Sequence, residues 1–392
     1  MSRLNFLVLL IALTSNACSS LTKPEPKRHL ATTFEPIVFS VIGASNEVIA
    51  RAITSESSCP SIDIDHKKTT MQTRITPEQD ADFAIRVCET VIPVSAKKVI
   101  VLGQTIPLPK KKLNQVTIIG DTGCRLKGKV LQDCSDPEAW PFEKISQQAA
   151  KQKTDLIIHT GDYFYREYCD ANAKECQNTP LGDNWDTWYA DFFKPASALL
   201  KKAPWIFIRG NHESCARGGK GFFKILNSGM GSTVCENEPA PHSIHFKNIN
   251  FAVLDSSLQE INRDKLNTLA TLQLKNSILL THRPMYGTLT KQPLGPVPGI
   301  KAIINGHWHL FHVTEFKDNR ATQIVIGNSG DLLEKDSYFL KEKTEFDGTE
   351  ITESKLFKAF GFSTLNPSGK NWELRSHDTS GVVKYTKKLK IN

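Results

Sequence analysis

Five short groups of potential metal ligands recur along the chain, each directly after an apolar run. In chain order they are the first motif Asp121-Thr122-Gly123, the second motif Gly161-Asp162-Tyr163-Phe164-Tyr165, the third motif Gly210-Asn211-His212-Glu213, the fourth motif His282 and the fifth motif Gly306-His307-Trp308-His309. Carboxylate, phenolate, amide and imidazole groups are all competent metal ligands. Brought together, they would hold a pair of hard cations, and such a pair can hydrolyse a phosphate ester.

The apolar runs that precede the motifs predict buried strands. Runs that are apolar throughout indicate strands covered on both faces, as in layered α/β folds. Ligands of open α/β sheets gather outside the carboxyl ends of the strands, so the motifs are expected to meet there. Helix-compatible composition lies between the runs at 140–153 and 188–202. The predicted strands are 116–119, 155–159, 205–208, 249–254, 277–280 and 302–304.

Residues 34–110 have a different pattern, which predicts a small β-rich domain before a catalytic domain at 114–392. Short runs rich in β-branched residues occur at 36–43, 47–54, 83–91 and 98–102, broken by Ser, Pro and Gly. This region contains no catalytic constellation. The run Lys110-Lys111-Lys112 is interpreted as a solvated linker between the two domains. The alternative, a nucleic-acid patch, is disfavoured because no aromatic residues are interleaved with basic ones.

The N-terminus has the features of a targeting segment. Residues 1–17 carry a basic Arg3, the apolar run FLVLLIAL at 6–13 and small residues before Cys18, which is typical of a signal peptide. The small residues before Cys18 also resemble a bacterial lipoprotein box, although Ser15 stands where Leu is usual, and ordinary cleavage would suit them equally. Residues 18–33 are polar, contain two prolines and are predicted to be a tether. The expected location is the periplasm, the outer membrane or the exterior, with membrane contact only through lipid on Cys18.

Cysteine counting agrees with export. There are nine cysteines, so lipid on Cys18 would leave an even set of eight, whereas plain cleavage before it would leave an odd thiol. An even set in an exported chain favours disulfides over the free thiols of a cytosolic protein. The chain has no CxxC spacing, so a structural zinc site is not expected. We expect neighbours in sequence to pair, each closing a short loop: Cys59–Cys88, Cys124–Cys134, Cys169–Cys176 and Cys215–Cys235.

Composition fits a soluble globular protein. The 392 residues are 40% hydrophobic and 23% charged, which allows one large or two smaller domains with a sizeable core. The net charge of +8 is spread along the chain, so we expect no binding to a nucleic-acid scaffold. Only the N-terminal run approaches membrane-span hydrophobicity, and it is too short to cross a bilayer.

In this order and context, residues 115–330 resemble the calcineurin-like metallophosphoesterase superfamily, and more closely its purple acid phosphatase branch. Most of that superfamily has Asp-x-His in the first motif, where this chain has Gly123 in place of the His. The purple branch replaces the lost His with a Tyr three residues after the bridging Asp, and Tyr165 stands in that position. The resemblance implies a four-layer αββα domain of the α/β class, preceded in this chain by the β-rich domain.

The resemblance also implies two metal sites. Asp121, Asp162, Tyr165 and His309 would bind the first ion, and the phenolate favours Fe(III) there. Asp162 would bridge to the second ion, which Asn211, His282 and His307 would complete. An amide and two imidazoles suit a divalent ion, namely Zn, Fe(II) or Mn(II).

The implied activity is hydrolysis of phosphate monoesters by a hydroxide held between the metals, with a phosphorylated small molecule as substrate. His212 would protonate the leaving group, and Glu213 would orient His212. One alternative is a phosphodiesterase that acts on nucleotides or phospholipids. Another is a non-catalytic surface lipoprotein, which would be expected to have lost a ligand or His212, and none is lost.

The chain departs from the family pattern after the fifth motif. The purple branch usually continues into Glu-Arg, whereas this chain continues Leu310-Phe311-His312, which leaves open whether His312 reaches the phosphate. Arg166 and Arg283, each adjacent to a ligand, are candidate phosphate contacts. Residues around Trp185 and Trp188 would line either the substrate entrance or the core.

Overall fold

A computed structural model describes residues 34–170, 172–258, 263–287, 296–335, 344–346 and 348–391. The predicted signal peptide and tether lie outside these residues. Among the described residues, no helix is long and apolar enough to cross a membrane. The first fourteen strands are β1 (Ile37–Ile42), β2 (Val48–Thr54), β3 (Ser61–Ile64), β4 (Lys67–Thr70), β5 (Gln72–Ile75), β6 (Arg86–Ile92), β7 (Val99–Val101), β8 (Gln104–Thr105), β9 (Val116–Ile119), β10 (Leu126–Gly128), β11 (Val130–Leu131), β12 (Leu156–His159), β13 (Arg166–Cys169) and β14 (Trp205–Phe207).

The second half of the chain supplies the remaining strands, and the α-helices are short. These strands are β15 (His242–Phe246), β16 (Ile249–Val253), β17 (Ser277–Leu280), β18 (Ile300–Asn305), β19 (Phe311–Phe316), β20 (Thr322–Ile326), β21 (Glu345–Phe346), β22 (Thr349–Phe357), β23 (Gly361–Ser368), β24 (Asn371–Asp378) and β25 (Val383–Leu389). The helices are α1 (Phe142–Ala149), α2 (Trp185–Trp188), α3 (Ser197–Leu200), α4 (Gly219–Ile225) and α5 (Arg263–Thr271).

Two large mixed sheets form the body of the fold. The first has ten strands in the order β25-β24-β23-β9-β12-β14-β1-β2-β6-β5, and the second has eight in the order β15-β16-β17-β18-β20-β19-β22-β21. Parallel pairing joins β9, β12 and β14 in the first sheet and β16, β17, β18 and β20 in the second. The carboxyl ends of each parallel set therefore lie at one edge, where the motifs follow them.

Apolar cores lie between the layers. Val116 and Ile118 of the first sheet pack with Ile278 and Leu280 of the second in the core between the sheets. Successive strand residues point to opposite faces, so the intervening positions meet helices instead. The first sheet's outer face is covered by residues of α1, α2 and α3, and the second sheet's by Leu269 of α5. The predicted four-layer αββα arrangement is confirmed.

The β-rich character of the N-terminal region is also confirmed. Four of its strands, β3, β4, β7 and β8, form a separate antiparallel sheet, while β1, β2, β5 and β6 extend the ten-stranded sheet. The junction is the parallel pairing of β1 with β14, in register at Val41 and Trp205. The division of the chain into domains at 110–114 stays a prediction.

Each predicted strand before a motif is present to within about two residues, because a continuous apolar run is a strong signal for a strand buried on both faces. The helix-compatible stretch 188–202 is divided: after α2, a π-helical turn at Tyr189–Phe193 precedes α3. All four predicted disulfides form: Cys59–Cys88, Cys124–Cys134, Cys169–Cys176 and Cys215–Cys235. Disulfides persist in oxidising compartments, which indicates an extracellular or periplasmic protein.

Candidate metal centre

The motifs converge because they occupy equivalent positions at the ends of neighbouring strands. Asp121 follows β9 and Asp162 follows β12, and the backbones of the two loops are joined by Asp121 N–H to Gly161 O at 2.9 Å. Asp121, Asp162 and His307 all have left-handed backbones, with φ of 54°, 57° and 71°. Such conformations cost free energy in residues other than glycine and cluster at functional sites. The chain therefore bends sharply at these three positions.

The glycines of the motifs are required by close approach. Gly161 has φ of 105°, and a Cβ there would lie 2.5 Å from Nδ1 of His282. A Cβ on Gly210 would lie 2.1 Å from Oδ1 of Asp162. Larger residues at either position would push apart the loops that carry the ligands.

Tyr165 lies at the centre of the first group of ligands. Its Oη is 2.7 Å from Oδ2 of Asp162, 3.2 Å from Oδ1 of Asp121 and 2.8 Å from Nε2 of His309. The tyrosine and both aspartates are at most 1% exposed. The four residues that the sequence assigns to the first ion are thus within hydrogen-bond distance of one shared point.

A second group of ligands also meets at Asp162. Nε2 of His282 is 3.1 Å from Oδ2 of Asp162 and 3.0 Å from Oδ1 of Asn211. Ligand atoms of Asp162, His282 and His307 all lie within 4.8 Å of one another. Asp162 is therefore common to both groups, which is the position a bridging ligand needs.

Two of the histidines are oriented by backbone carbonyls. Nδ1 of His309 lies 2.8 Å from Leu332 O, and Nδ1 of His282 lies 2.9 Å from Thr160 O. Donation from Nδ1–H to these carbonyls would leave Nε2 as the free lone pair, facing the ligand cluster in each case. This outer support is typical of metal-binding histidines.

The electrostatics of the cluster favour cations. Burial, together with the charges of Asp162 and Asp121, raises the pKa of Tyr165 well above its ordinary value. Burial lowers the pKa of His309, but the negative charges of Asp331 and Asp121 outweigh it and raise that pKa to about 9. The negative charge of the buried carboxylates keeps protons on the neighbouring Tyr165 and His309. Metal ions bind in such an environment by replacing those protons. The donors present fit two metal ions.

His212 lies beside this cluster. Its ring centroid is 3.9 Å from that of Tyr165, its backbone N–H donates to Oδ1 of Asp162 at 2.8 Å, and its Nδ1 is 2.6 Å from Oε1 of Glu167. Arg217 also contacts both His212 and Glu167. Burial lowers the pKa of His212 to about 4, although Asp162 and Glu167 oppose the shift. A phosphate dianion beside the ring would raise that pKa again.

Glu213 differs from its predicted role of orienting His212. Its carboxylate accepts hydrogen bonds from the backbone N–H groups of Asp162, Tyr163, Phe164 and Gly210, at 2.9, 2.9, 3.3 and 3.0 Å. The side chain therefore fixes the loop of the second motif, while Glu167 contacts His212. Turning inward satisfies four buried N–H groups that would otherwise lack partners.

The arginines next to ligands divide into two roles. Arg166 is turned away from the site, with its Nε 2.5 Å from Oδ1 of Asp191 in the π-helical turn. The other oxygen of Asp191 accepts from Tyr165 N–H at 2.9 Å. Arg283 remains at the site, with Nη1 2.9 Å from Nε2 of His307. Of the two predicted phosphate contacts, only Arg283 faces the ligands.

Sequence reasoning missed Asp331, Glu167 and Arg217. Oδ2 of Asp331 is 3.3 Å from Nε2 of His309, and this aspartate also pairs with Arg125. The signal for Asp331 was available, because Gly330-Asp331 comes after the apolar strand β20, as the other motifs come after theirs.

The remaining predicted site residues lie away from the ligands. His312 points away from the candidate metal site, with Nε2 2.9 Å from Ser354 Oγ. Trp185 and Trp188 are buried in the core beneath the first sheet.

Comparison with known proteins agrees with this geometry. The calcineurin-like phosphoesterase family matches residues 115–311, about half of the chain, and the chain belongs to that family. It is therefore a metal-dependent phosphoesterase, a hydrolase, and the family implies a dinuclear metal centre. The search among curated protein sequences finds no significant match.

Solved structures share the fold. The structure of purple acid phosphatase PPD1 from yellow lupin (Lupinus luteus) seeds aligns with a TM-score of 0.58 and 16% identity, over 90% of this chain and 74% of that one. The structure of PhoD aligns with a TM-score of 0.51 and 9% identity, over 90% and 88%. At these identities the likeness shows a common fold.

Proposed function

We propose that this protein hydrolyses phosphate monoesters at a dinuclear metal site of the purple acid phosphatase type. The observation that carries the proposal is the convergence of seven donors in two groups that share Asp162. Asp121, Asp162, Tyr165 and His309 would hold Fe(III), and Asp162, Asn211, His282 and His307 would hold Zn, Fe(II) or Mn(II). When bound, the two ions would supply Lewis-acid stabilisation of the phosphoryl charge and activation of water.

The protein groups around the ligands favour a dianionic substrate. Burial is the main cause of the lowered pKa of Arg283, and repulsion from the positive charge of Arg217 adds to it. A phosphate monoester with two negative charges would relieve that repulsion more fully than a diester with one. His212, on the same side as Arg217, would donate a proton to the leaving alkoxide.

A phosphodiesterase acting on nucleotides or phospholipids is the second candidate, since the same pair of metals can hydrolyse both ester types. Paired assays with nitrophenyl phosphate and bis-nitrophenyl phosphate separate the two. We expect the monoester to be the better substrate by at least about tenfold in kcat/KM. Faster hydrolysis of the diester would overturn the monoester assignment but not the metal centre.

The shared ligand provides the most direct test. Asp162→Asn should remove bound metal and activity together, because both ions lose a charged bridging oxygen. Metal content by mass spectrometry and nitrophenyl phosphate turnover measure the two effects. Asp63→Asn, in the separate four-stranded sheet, is the matched control and should retain both. Full metal content in Asp162→Asn would rule out the bridging role, and normal turnover would rule out the site.

Export with lipid on Cys18 is proposed for the N-terminus. It is supported by the signal-like residues 1–17 and by the eight remaining cysteines, which all pair. The mass of the N-terminal peptide distinguishes the possibilities: an acylated Cys18 supports anchoring, and an unmodified terminus would indicate secretion.

A further inference from the structure

A groove of about 550 Å³ lies at the end of the fold opposite the metal centre. Lys111, on its wall, comes shortly before β9, and Phe246 and Lys247 come directly before β16. The motifs, in contrast, follow the strands at their carboxyl ends. The groove is thus at the amino-terminal edge of the same parallel strands, and its volume falls within the range of about 300–1,000 Å³ typical of small-molecule sites.

The floor of the groove is apolar. Ile42 and Ile92 line it with only 4% and 2% exposure, and both belong to the core between the sheets. Leu108 and Phe246 pack against the same core and remain partly exposed. At the lip, the side chain of Val94 is 89% exposed. Apolar residues that line the groove from the core to its lip favour a ligand with an apolar body.

Specific hydrogen bonds hold the two walls in place. Asn46, in the turn between β1 and β2, donates from Nδ2 to His245 O at 2.7 Å and accepts from His245 N–H at 3.0 Å. Lys247 N–H donates to Lys111 O at 2.8 Å. The first pair joins residues 199 positions apart in sequence. The groove is therefore formed before any ligand arrives, as most small-molecule sites are.

The rim is basic. Lys110 is paired with Asp155 at 2.6 Å, so its charge is offset. Across the ranges that the structure describes, Lys111 and Lys247 form no ion pair. Two uncompensated ammonium groups beside an apolar floor complement a molecule that has one anionic end and one apolar end. The run Lys110-Lys111-Lys112 therefore borders an apolar groove as well as connecting the two predicted domains.

We infer that this groove binds a single amphiphile with an acyl chain and an anionic head group, of the fatty-acid class. The acyl chain lies along Ile42, Ile92 and Phe246, and the head group meets Lys111 and Lys247. A nucleic acid would use the lysines but leave the apolar floor uncovered, whereas a neutral apolar ligand would leave the lysines unused.

Calorimetric titration of the mature, metal-loaded protein with dodecanoate below its micelle concentration tests this inference. We expect one saturable site, binding at least about tenfold weaker for dodecyltrimethylammonium because its charge is repelled, and none for acetate. Lys111→Gln with Lys247→Gln should weaken dodecanoate binding by about three- to tenfold, as expected for two exposed charge contacts. The matched pair Lys201→Gln with Lys202→Gln, exposed residues away from the groove, should leave it unchanged.

A variant at the lip separates loss of binding from loss of folding. Val94→Asp places a negative charge at an exposed position, so it should weaken dodecanoate binding while the protein stays folded and nitrophenyl phosphate turnover stays normal. Absence of saturable binding would overturn the inference. Equal affinity for the cationic amphiphile would also overturn the inference. So would dodecanoate binding that none of the groove variants affects but that disappears when the metals are removed.

Discussion

Asp162 contacts residues of both groups of candidate metal ligands. Its carboxylate is within hydrogen-bond distance of Tyr165 Oη and His282 Nε2, and it accepts from His212 N–H. Its own N–H donates to Glu213 at 2.9 Å. These contacts hold the residue in a left-handed conformation that would otherwise relax. Residues of three motifs therefore fix the position of the Asp162 side chain.

Tyr165→Phe removes one oxygen from the first group of ligands and leaves the ring. We expect the visible absorption band of a phenolate bound to Fe(III) to be present in the parent protein and absent in this variant. Tyr163→Phe is the matched control. Tyr163 is also buried and lies two residues before Tyr165, but its hydroxyl donates to Ile208 O, so the band should persist in this variant. A colourless parent containing two divalent ions would leave a general metallophosphoesterase and remove the purple-type assignment.

Glu167→Gln tests whether Glu167 positions His212. We expect kcat to fall about tenfold with KM and metal content nearly unchanged, because the neutral amide holds the imidazole less firmly. His212→Ala should lower kcat by about a hundredfold or more. The double variant should be no slower than His212→Ala alone, since the two residues would act as a unit. Glu175→Gln, at an exposed position, is the control. Additive losses would show that Glu167 acts independently of His212.

The strands were largely predictable from the sequence, and the side-chain contacts between loops were not. A run such as 116–119 predicts a buried strand, and parallel strands bring the motifs that follow them to one edge. The same reasoning cannot show that Glu213 turns to backbone N–H groups about 50 residues earlier, while Glu167 takes its place beside His212. Those partners depend on loop geometry, which short motifs do not encode.

The carboxy-terminal strands illustrate a signal that was present but weak. Residues along β22 alternate between more and less exposed positions over most of its length, and β25 contains several lysines. Polar alternating strands at the side of a sheet resemble loops in composition, because only one face needs apolar residues. Strands β23–β25 nevertheless complete the ten-stranded sheet beside β9, the strand that carries the first motif.

The end of α4 depends on a buried ion cluster from the N-terminal strands. Arg51 donates to Ile225 O at 2.7 Å and Arg74 donates to Phe223 O at 2.6 Å. Both arginines meet Oε2 of Glu89 at 2.8 Å, and all three side chains are at most 2% exposed. The arginines therefore satisfy carbonyls at the helix C-terminus, where positive charge is favourable.

Glu89→Gln should destabilise the protein by about 3–5 kcal/mol, because it leaves two buried guanidinium groups without their counter-ion. Urea unfolding of the disulfide-intact protein measures the change. Glu350→Gln, which breaks an exposed pair with Lys317, is the matched control and should leave the unfolding free energy nearly unchanged. A similar small effect for Glu89→Gln would mean that the cluster contributes no more than a surface pair.

In the whole molecule, the candidate metal ligands and the groove lie at opposite edges of the central strands, and disulfides and a buried ion cluster stabilise the structure around them. The candidate metal centre occupies the carboxyl edge of the central strands, and the groove occupies the opposite edge. The disulfides Cys124–Cys134 and Cys215–Cys235 close loops that follow the first and third motifs. Constraint of these loops restricts the unfolded chain and limits movement of the ligands. The N-terminal strands add the ion cluster that supports α4, which lies within the residues that match the phosphoesterase family.

Acid conditions should weaken this assembly through His312. Burial lowers the pKa of this histidine to about 4, and it is 1% exposed on β19. The unfolded chain binds the proton at a pKa near 6.5, so the stabilising contribution is complete above about pH 6.5 and is lost as the pH falls towards 4. The difference in pKa corresponds to about 3 kcal/mol across that window.

His312→Gln keeps a polar group near Ser354 but does not titrate. Urea unfolding at pH 7.5 and pH 4.5 should therefore show a smaller loss of stability on acidification for the variant than for the parent, by about 2–3 kcal/mol. His66→Asn is the control: His66 is exposed with φ of 69°, a conformation that Asn tolerates. Equal acid sensitivity of parent and His312→Gln would assign the loss to the metal-binding carboxylates and histidines instead.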